Sequence, residues 1–353
     1  MTRLPAPFAK PRARREAGVV LALVLVIGLL LMTVVIGFSR RAIVDYHIAR
    51  NRDAAAQADA LARGGVQLAT FLLLADSLAS AQGGPPGDTY LDAWAQAERY
   101  EIATDDGARL RVRIRDEGSL LDLNAIVPET ATGEASEEAV DFLIAVLEKV
   151  IDELPVAPGE RAFDARELAY NLIDYVDADE ERQRGGPENA WYERQSPPYE
   201  AANEPLRSVD ELGMVEGFTP VLVDGLRPYV TVHPRKDGTG INLNTAPPHV
   251  LALVYHGSQG SRTLASEDTV RRILRAREEG RILCTTTGAD DRCILAAEIV
   301  EGSIFPDASL PAQATLFRVE AEATVGDVRR TIAAVVDRTD PSKPTVLEWR
   351  HGS

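Results

Sequence analysis

Carboxylate side chains crowd one short stretch of this 353-residue chain, between positions 174 and 189. The candidate ligands in this stretch are Asp174, Asp177, Asp179, Glu181, Glu188 and Asn189. Oxygen donors on a flexible loop are the ligands that calcium, a hard cation, prefers. The spacing is not that of an EF-hand, since that motif's central glycine and final glutamate are missing. The residues alone leave two interpretations open: a calcium site, or a solvated acidic loop that caps the following helix.

The two cysteines, Cys284 and Cys293, have eight residues between them. In an oxidising compartment this spacing predicts a disulfide that closes a hairpin loop. A catalytic cysteine is disfavoured, because no histidine lies near either one in sequence. The segment His256–Gly260 lacks the spacing of a nucleophile elbow, and the sequence has no glycine-rich phosphate loop. These patterns predict a protein that is not an enzyme.

The chain is acidic overall but basic at its start. It carries 38 Lys and Arg against 54 Asp and Glu, for a net charge of −16. Residues 1–41 hold seven basic residues and one acidic residue, so the remainder carries −22. An acidic surface is repelled by the backbone of DNA and RNA. A basic flank beside an apolar run is typical of a membrane topology signal.

An uncharged apolar run extends from Gly18 to Phe38. As a helix its 21 residues span about 30 Å, the thickness of the hydrocarbon core of a bilayer. The basic leader is expected in the cytoplasm and the acidic bulk on the other side. A cleaved signal peptide fits less well, because the run is long and no small-residue cleavage site follows it. A simple membrane anchor is the alternative that this segment leaves open.

The residues before the apolar run add a processing signal. A short basic leader that ends in Gly18 resembles the class III leader of type IV pilin-like proteins. This resemblance implies that a prepilin peptidase cleaves after Gly18 and that the new first residue, Val19, is methylated. Most such subunits carry Glu at the fifth mature position, where this chain has Leu23. Because a buried unpaired charge is costly, the missing Glu either contradicts the pilin-like interpretation or marks a tip subunit with no neighbour above it.

Helical spacing continues past the membrane segment (19–38), and one long helix is predicted over 19–80. The Gly- and Pro-rich segment at 83–87 ends it. Strand patterns follow at Tyr100–Thr104, Leu110–Arg115, Leu316–Val325 and Val328–Asp337. The last two flank Gly326-Asp327, a two-residue hairpin signal. A long helix followed by a small antiparallel sheet is the pilin-like α+β plan.

The chain between the two strand pairs is predicted to be a helical insertion. Helix patterns are found at Glu137–Ile151 and Arg166–Val176, a capping box at Ser208–Glu211, and a helix start at Thr219-Pro220. Asn124 and Asn244, each after a short apolar run, are predicted to cap helices. The predicted domains are a leader (1–18), the N-terminal helix (19–80), a body (81–116 and 233–353) and the insertion (117–232).

Motifs of one known family occur between residues 172 and 247. They are Leu172–Asp177, Pro197–Tyr199, Ser208–Leu212, Gly217–Pro220, Leu226–Tyr229 and Ile241–Pro247. With the leader, Leu23 and the helical insertion, they resemble the K-type minor pseudopilins of the type II secretion system. The resemblance extends over nearly the whole chain and is weakest over 257–312.

The resemblance implies a fold and a function. The fold is α+β, with a pilin-like long N-terminal helix on a small antiparallel sheet and a large all-α insertion. The function is that of a tip subunit that starts pseudopilus assembly with I- and J-type minor pseudopilins and supports export of folded proteins. The protein would cross the inner membrane once, with its bulk in the periplasm, and contact secreted substrates or the secretin. Calcium binding in the insertion is also implied.

Two other functions fit parts of the sequence. Ser208–Val230 resembles a helix-hairpin-helix and Ile241–Pro247 resembles DNA receptors, as in a type IV pilus subunit for DNA uptake or adhesion. DNA binding needs basic helix ends, whereas acidic residues dominate this segment, so no nucleic-acid partner is predicted. The acidic residues are Glu204, Asp210, Glu211, Glu216 and Asp224. A periplasmic calcium-dependent hydrolase would need a catalytic cleft that the motifs do not indicate.

Overall fold

The structure is a computed structural model, and it describes residues 13–83, 87–126, 136–155, 163–233, 240–286, 290–310 and 312–352. Residues 1–12 of the predicted leader therefore lie outside the described residues. So do residues 84–86 of the predicted helix-breaking segment.

The N-terminal helix, α1, runs from Ala13 to Ala81. The long helix predicted over 19–80 is confirmed, and Gly83, with a φ of 92°, follows its end. The side chains from residue 19 to residue 53 are exposed. Those of Ala58, Ala62 and Val66 are fully buried. Residues 19–38 of α1 thus form an exposed apolar segment that is long enough to cross a membrane, and the second half of the helix packs on the rest of the protein.

Ten α-helices and twelve strands are described, besides three short 3₁₀ helices. After α1 the helices are α2 (Ala93–Gln96), α3 (Leu123–Ile126), α4 (Glu137–Glu153), α5 (Ala165–Val176), α6 (Asn189–Tyr192), α7 (Pro220–Leu226), α8 (Pro248–Leu251), α9 (Glu267–Glu278) and α10 (Ala296–Ile299). The strands are β1 (Glu101–Ala103), β2 (Arg109–Asp116), β3 (Leu121–Asp122), β4 (Val230–Thr231), β5 (Tyr255–Gly257), β6 (Thr263–Leu264), β7 (Ile282–Cys284), β8 (Cys293–Leu295), β9 (Ser303–Phe305), β10 (Leu316–Val325), β11 (Val328–Asp337) and β12 (Thr345–Gly352).

The body of the protein is a five-stranded antiparallel sheet in the order β1-β2-β10-β11-β12. The predicted hairpin is present, because Val325 pairs with Val328 around the Gly326-Asp327 turn. Alternate residues of β2 and β10 are buried against the second half of α1. Gly65 allows this close contact, since an added Cβ would lie 2.8 Å from the Ala321 Cβ. The predicted α+β, pilin-like fold class is confirmed.

The larger domain lies between β2 and β10 in the chain and has its own hydrophobic core. The amphipathic helices α4 and α5 bury one face each in this core, and Ser136 and Asp164 cap their first turns. The Thr219 hydroxyl caps α7, as predicted. The capping box predicted at Ser208 is different: Val209–Met214 is a 3₁₀ helix, and Glu211 accepts a hydrogen bond from Arg207 N instead.

The predicted domain boundary at residue 232 is wrong in the structure. Residues 241–312 were assigned to the body, but most of their buried apolar side chains belong to the core of the larger domain. The larger core therefore runs from Leu121 to Ala312, and only residues after it return to the body. The domain also contains short strands, such as the parallel pair β3 and β4, so it is not purely helical.

A cluster of buried hydrogen bonds, here called the polar seam, joins the two cores. The Asp116 Oδ2 accepts hydrogen bonds from Asn242 Nδ2 at 2.9 Å and from Thr245 Oγ1 at 2.7 Å. Glu117 accepts from Arg318 Nε at 2.6 Å and from Thr231 Oγ1 at 2.5 Å. Asp116 and Glu117 are buried, so these bonds compensate the cost of removing their charges from water.

Asn124 and Asn244 are not helix caps, contrary to the prediction. The Asn244 Oδ1 accepts a hydrogen bond from Leu283 N at 2.8 Å, and its Nδ2 donates to Leu283 O at 2.9 Å. Asn124 makes the same pair of bonds with Leu206. Each amide therefore takes the place of a backbone partner for a distant segment.

Candidate metal site

Three acidic side chains meet where α5 ends. Asp174 lies in the last turn of α5, and Asp177 directly follows that helix. The chain then makes a loop and returns to Glu188, the residue before α6. Ligand oxygens of Asp174, Asp177 and Glu188 all lie within 4.8 Å of one another. A helix end and a returning loop thus bring together residues that are up to 14 positions apart.

These carboxylates are buried, and part of their hydrogen-bonding capacity is unused. Their residues are 5% (Asp174), 6% (Asp177) and 1% (Glu188) exposed. Gln183 donates from its backbone to Asp174 Oδ1 at 2.9 Å and from its side chain to Asp177 Oδ2 at 3.1 Å. Asp177 Oδ1 and both oxygens of Glu188 have no hydrogen-bond partner among the described residues. Buried carboxylate oxygens in this state are unfavourable unless a cation or a proton compensates them.

The electrostatic cost of the site is reflected in its pKa values. Burial raises the pKa of Asp177 from 3.8 to about 7 and that of Glu188 from 4.5 to about 8, and repulsion among the carboxylates adds to both shifts. Burial also raises the pKa of Asp174. With no cation bound, the site takes up protons near neutral pH.

This shift gives a pH-dependent stability with a definite sign. A carboxyl group whose pKa is higher in the folded state contributes stability at low pH, and loses it as the pH rises from the unfolded to the folded pKa. The comparison is with a double variant, Asp177→Asn and Glu188→Gln, which lacks these two titrating groups. In a calcium chelator, the protein's free energy of unfolding relative to that of the variant is expected to fall as the pH rises from about 4 to about 8. Urea titrations at several pH values measure it. A difference that stays flat or rises with pH contradicts the expectation.

The other predicted ligands lie around this cluster rather than in it. Asp179 is half-buried, and its Oδ1 accepts a hydrogen bond from Glu181 N at 2.7 Å. Glu181 itself is exposed. The Asn189 Oδ1 accepts from Ala201 N at 2.8 Å, which fixes the loop instead of facing the cluster.

Asn203 is a residue near the site that the sequence analysis missed. Its Nδ2 donates to the Asp179 carbonyl at 2.7 Å, while its Oδ1 is buried without a hydrogen-bond partner among the described residues. Its φ of 46° is the left-handed conformation that Asn tolerates better than most residues. Only this backbone preference of Asn, in a segment 14 residues beyond the acidic loop, hinted at its role.

A second acidic cluster provides an instructive contrast. Asp76, Asp88 and Asp92 also approach within 4.8 Å of one another. Here Arg338 donates to Asp76 at 2.7 Å and to Asp88 at 2.6 Å. The guanidinium group supplies the compensating positive charge. No arginine, lysine or histidine of the described residues forms an ion pair with Asp174, Asp177 or Glu188.

The two cysteines are joined, but not across a hairpin. Cys284 and Cys293 form a disulfide in the structure. They lie on β7 and β8, which pair in parallel with Ile282 opposite Cys293. The predicted closure of a hairpin loop is therefore wrong, because the two paired strands run in the same direction.

The fold defines a class of protein. A long helix with an exposed apolar half, whose other half packs on an antiparallel sheet, is the architecture of a pilin-like subunit with a membrane-anchoring segment. The structure is similar to one chain of a crystal structure described as the GspK-GspI-GspJ complex of the enterotoxigenic Escherichia coli type 2 secretion system. The TM-score is 0.58 and the identity 21%, over 86% of this chain and 99% of that one. This likeness establishes the fold alone.

The family is established by sequence. Residues 119–235 match the model of the family "Type II secretion system (T2SS), protein K". The type II secretion system protein K of Klebsiella pneumoniae is 30% identical over 264 residues, 74% of this chain and 76% of that protein. The protein K of Aeromonas hydrophila is 26% identical over 97% of this chain and 99% of that protein. The chain belongs to the type II secretion system protein K family, the K-type minor pseudopilins.

Proposed function

We propose that this chain is the tip subunit of a type II secretion pseudopilus, where it nucleates assembly together with I- and J-type minor pseudopilins and so supports export of folded periplasmic proteins. The observation that carries the proposal is that the exposed apolar part of α1 lacks a glutamate. From Val19 onward its first acidic residue is Asp45, and Leu23 stands where a Glu would pair with a neighbour's amine. A subunit without that Glu cannot neutralise a neighbour stacked above it. Only a terminal position avoids this requirement.

The choice of partners is supported by the structural neighbour, which comes from a GspK-GspI-GspJ complex. The experiment is to solubilise membranes that contain the full chain and to pass them over an immobilised pair of I- and J-type pseudopilins from the same system. We expect the chain to be retained on the pair and not on immobilised double-stranded DNA. Retention on DNA alone would favour the pilus-type DNA-uptake subunit. If the chain binds neither the immobilised I- and J-type pair nor the immobilised DNA, the tip-complex proposal is overturned. Contacts with the secretin and with secreted substrates belong to the same proposal.

The topology is part of the proposal. The basic leader places the N-terminus in the cytoplasm, α1 crosses the inner membrane once over 19–38, and the two cores lie in the periplasm. The described disulfide supports this placement, since structural disulfides persist in oxidising compartments.

Pilin-type processing makes a prediction about the mature chain. If a prepilin peptidase acts on this protein, the chain purified from its native membrane starts at Val19 and carries one added methyl group. Intact-mass measurement with N-terminal sequencing tests both features in one sample. A chain that starts at Met1 would reduce α1 to an ordinary membrane anchor.

The acidic site is proposed to bind calcium. Its all-oxygen, buried and uncompensated donor set fits a hard divalent cation better than it fits water or a basic side chain. Asp174, Asp177 and Glu188 would hold the ion, with Asp179 and Asn203 beside them. Bound calcium would neutralise the carboxylates and fasten the end of α5 to the returning loop. The role is structural, and no reaction step is assigned to it.

A further inference from the structure

A small cavity lies between the two cores, on the side of the larger domain that the family motifs cover least. It has a volume of about 40 Å³, enough for one small group. Three arginines line it: Arg277 from α9, Arg281 just before β7, and Arg292 just before β8. Tyr90 and Leu91, from the segment after α1, form part of the opposite wall. Three guanidinium groups around one cavity are unusual in a chain with a net charge of −16.

Arg277 carries its charge in this buried place without a carboxylate partner. Its Nε donates to Leu243 O at 2.7 Å and its Nη1 to Ala246 O at 2.8 Å, and Nη2 also bonds to Leu243 O. These bonds use three of the five guanidinium N–H donors. The ring of Tyr90 lies 5.3 Å from the guanidinium carbon. Burial lowers the pKa of Arg277 to about 10, because the charge is desolvated and no described anion compensates it.

Arg281 and Arg292 are held next to each other by the parallel pairing of β7 and β8. Ile282 is opposite Cys293, and Ile282 N donates to Arg292 O at 3.0 Å, so the two arginines that precede these residues are neighbours. The Cys284–Cys293 disulfide fastens the same two strands. Like charges at adjacent positions of paired strands are destabilising. The disulfide holds together the two strands that carry these arginines at their starts.

A nearby carboxylate balances only one of these three charges. Asp290 pairs with Arg292, at 2.9 Å from its Nε and 2.7 Å from its Nη2. Arg281 has only two long bonds to carbonyl oxygens, at 3.3 and 3.5 Å. The carboxylate of Asp92, which also acts on Arg292, accepts a hydrogen bond from Thr89 N at 2.6 Å. Arg277 and Arg281 therefore have no ion-pair partner among the described residues.

The rim of the cavity is apolar and accessible. Tyr90 is 41% and Leu91 is 62% exposed, so a large apolar contact is offered directly beside the arginines. A free inorganic anion would gain nothing from such a rim. A peptide with an acidic side chain next to an apolar one would use both features, since guanidinium groups bind planar carboxylates in a bidentate manner.

We propose that this cavity binds the carboxylate of an acidic peptide segment from another protein, whose adjacent apolar side chain packs on Tyr90 and Leu91. Arg277, Arg281 and Arg292, which the family motifs do not cover, thus form a recognition site, and the disulfide between the strands that follow Arg281 and Arg292 preorganises it. The site is independent of the calcium cluster and does not require the tip position.

The test uses the full ¹⁵N-labelled chain in detergent micelles and two capped dipeptides, acetyl-Leu-Glu-amide and acetyl-Leu-Gln-amide, with inorganic phosphate as a third probe. The readout is the set of arginine Nε–H resonances. We expect the Glu dipeptide to shift the signals of Arg277 and Arg281, and the Gln dipeptide to leave them in place. Arg281→Ala, at a half-buried position without an ion pair, is expected to weaken binding by about tenfold or more.

The matched control is Arg271→Ala, an exposed arginine of α9 that pairs with Asp268, and it is expected to leave binding unchanged. Four results would overturn the proposal, and three of them concern the comparison of probes and variants. They are equal shifts with both dipeptides, tighter binding of phosphate than of the Glu dipeptide, and binding that survives Arg281→Ala. The absence of any shift with the Glu dipeptide would do the same.

Discussion

Replacing Arg338 by Met is expected to destabilise the protein by about 3–5 kcal/mol, because it leaves buried carboxylates without their cation. Arg338 links three parts of the smaller core. Its guanidinium donates to Asp76 at the end of α1 at 2.7 Å, to Asp88 beyond the helix at 2.6 Å, and to Ala314 O at 2.8 Å. It also lies over the ring of Phe317, 4.6 Å from its centroid. The substitution keeps much of the side-chain volume. The loss in free energy of unfolding therefore reports the contribution of the charge and the hydrogen bonds of Arg338.

Urea unfolding of the full chain in detergent micelles, followed by tryptophan fluorescence, measures this loss. Trp94 is a suitable reporter, since it is buried in the same core with its ring 5.0 Å from that of Phe317. The matched control is Arg329→Met, an exposed arginine that pairs with Glu322 at 3.6 Å and should cost less than about 1 kcal/mol. Adding Asp76→Asn and Asp88→Asn to Arg338→Met should recover part of the stability. A loss no larger than that of the control would show that Arg338 does not compensate these carboxylates.

Calcium is expected to stabilise the larger domain by about 2.7 kcal/mol when its free concentration is about a hundred times its Kd. The double variant Asp177→Asn, Glu188→Gln should lose this calcium-dependent gain, because it removes the charge that holds the ion. Glu181→Gln is the matched control. Glu181 is in the same loop but exposed, and this change should keep the gain.

The same double variant should behave in the opposite way in a chelator. At pH 8 the protein without calcium carries buried carboxylates with unpaired oxygens, so neutral amides should make it as stable or more stable. Thermal unfolding with calcium and with chelator, on the three proteins, gives the full comparison. A double variant that is destabilised equally in both conditions would mean that the cluster is structural and binds no ion.

The elements with strong local signals were predictable from sequence. The apolar run and the absence of proline gave α1, and the Gly326-Asp327 turn between alternating residues gave β10 and β11 in register. The boundary of the larger domain could not be predicted from sequence. Residues 241–312 form short elements whose burial depends on contacts with α4 and other distant segments. Parallel pairing of β7 with β8 is likewise set by tertiary contacts, since eight intervening residues fit a hairpin equally well.

The candidate metal site was predictable in composition but not in geometry. The density of acids identified the loop, yet only Asp174, Asp177 and Glu188 converge. Whether Asn189 faces the cluster or Ala201 depends on the path of the return loop, which no spacing rule describes. Asn203 was missed because its contribution comes from a backbone conformation, φ 46°, rather than from a motif.

The polar seam also leads to an expectation about how the molecule would respond to force. Hydrogen bonds are directional, so a junction built from Asp116, Glu117, Asn242 and Arg318 resists sliding in a way that an apolar contact does not. If pseudopilus assembly pushes the subunit along α1, as the proposed function requires, the load reaches the larger domain through the sheet and then across this seam. We therefore expect the larger domain to keep its orientation relative to α1 while the subunit moves along the axis of that helix.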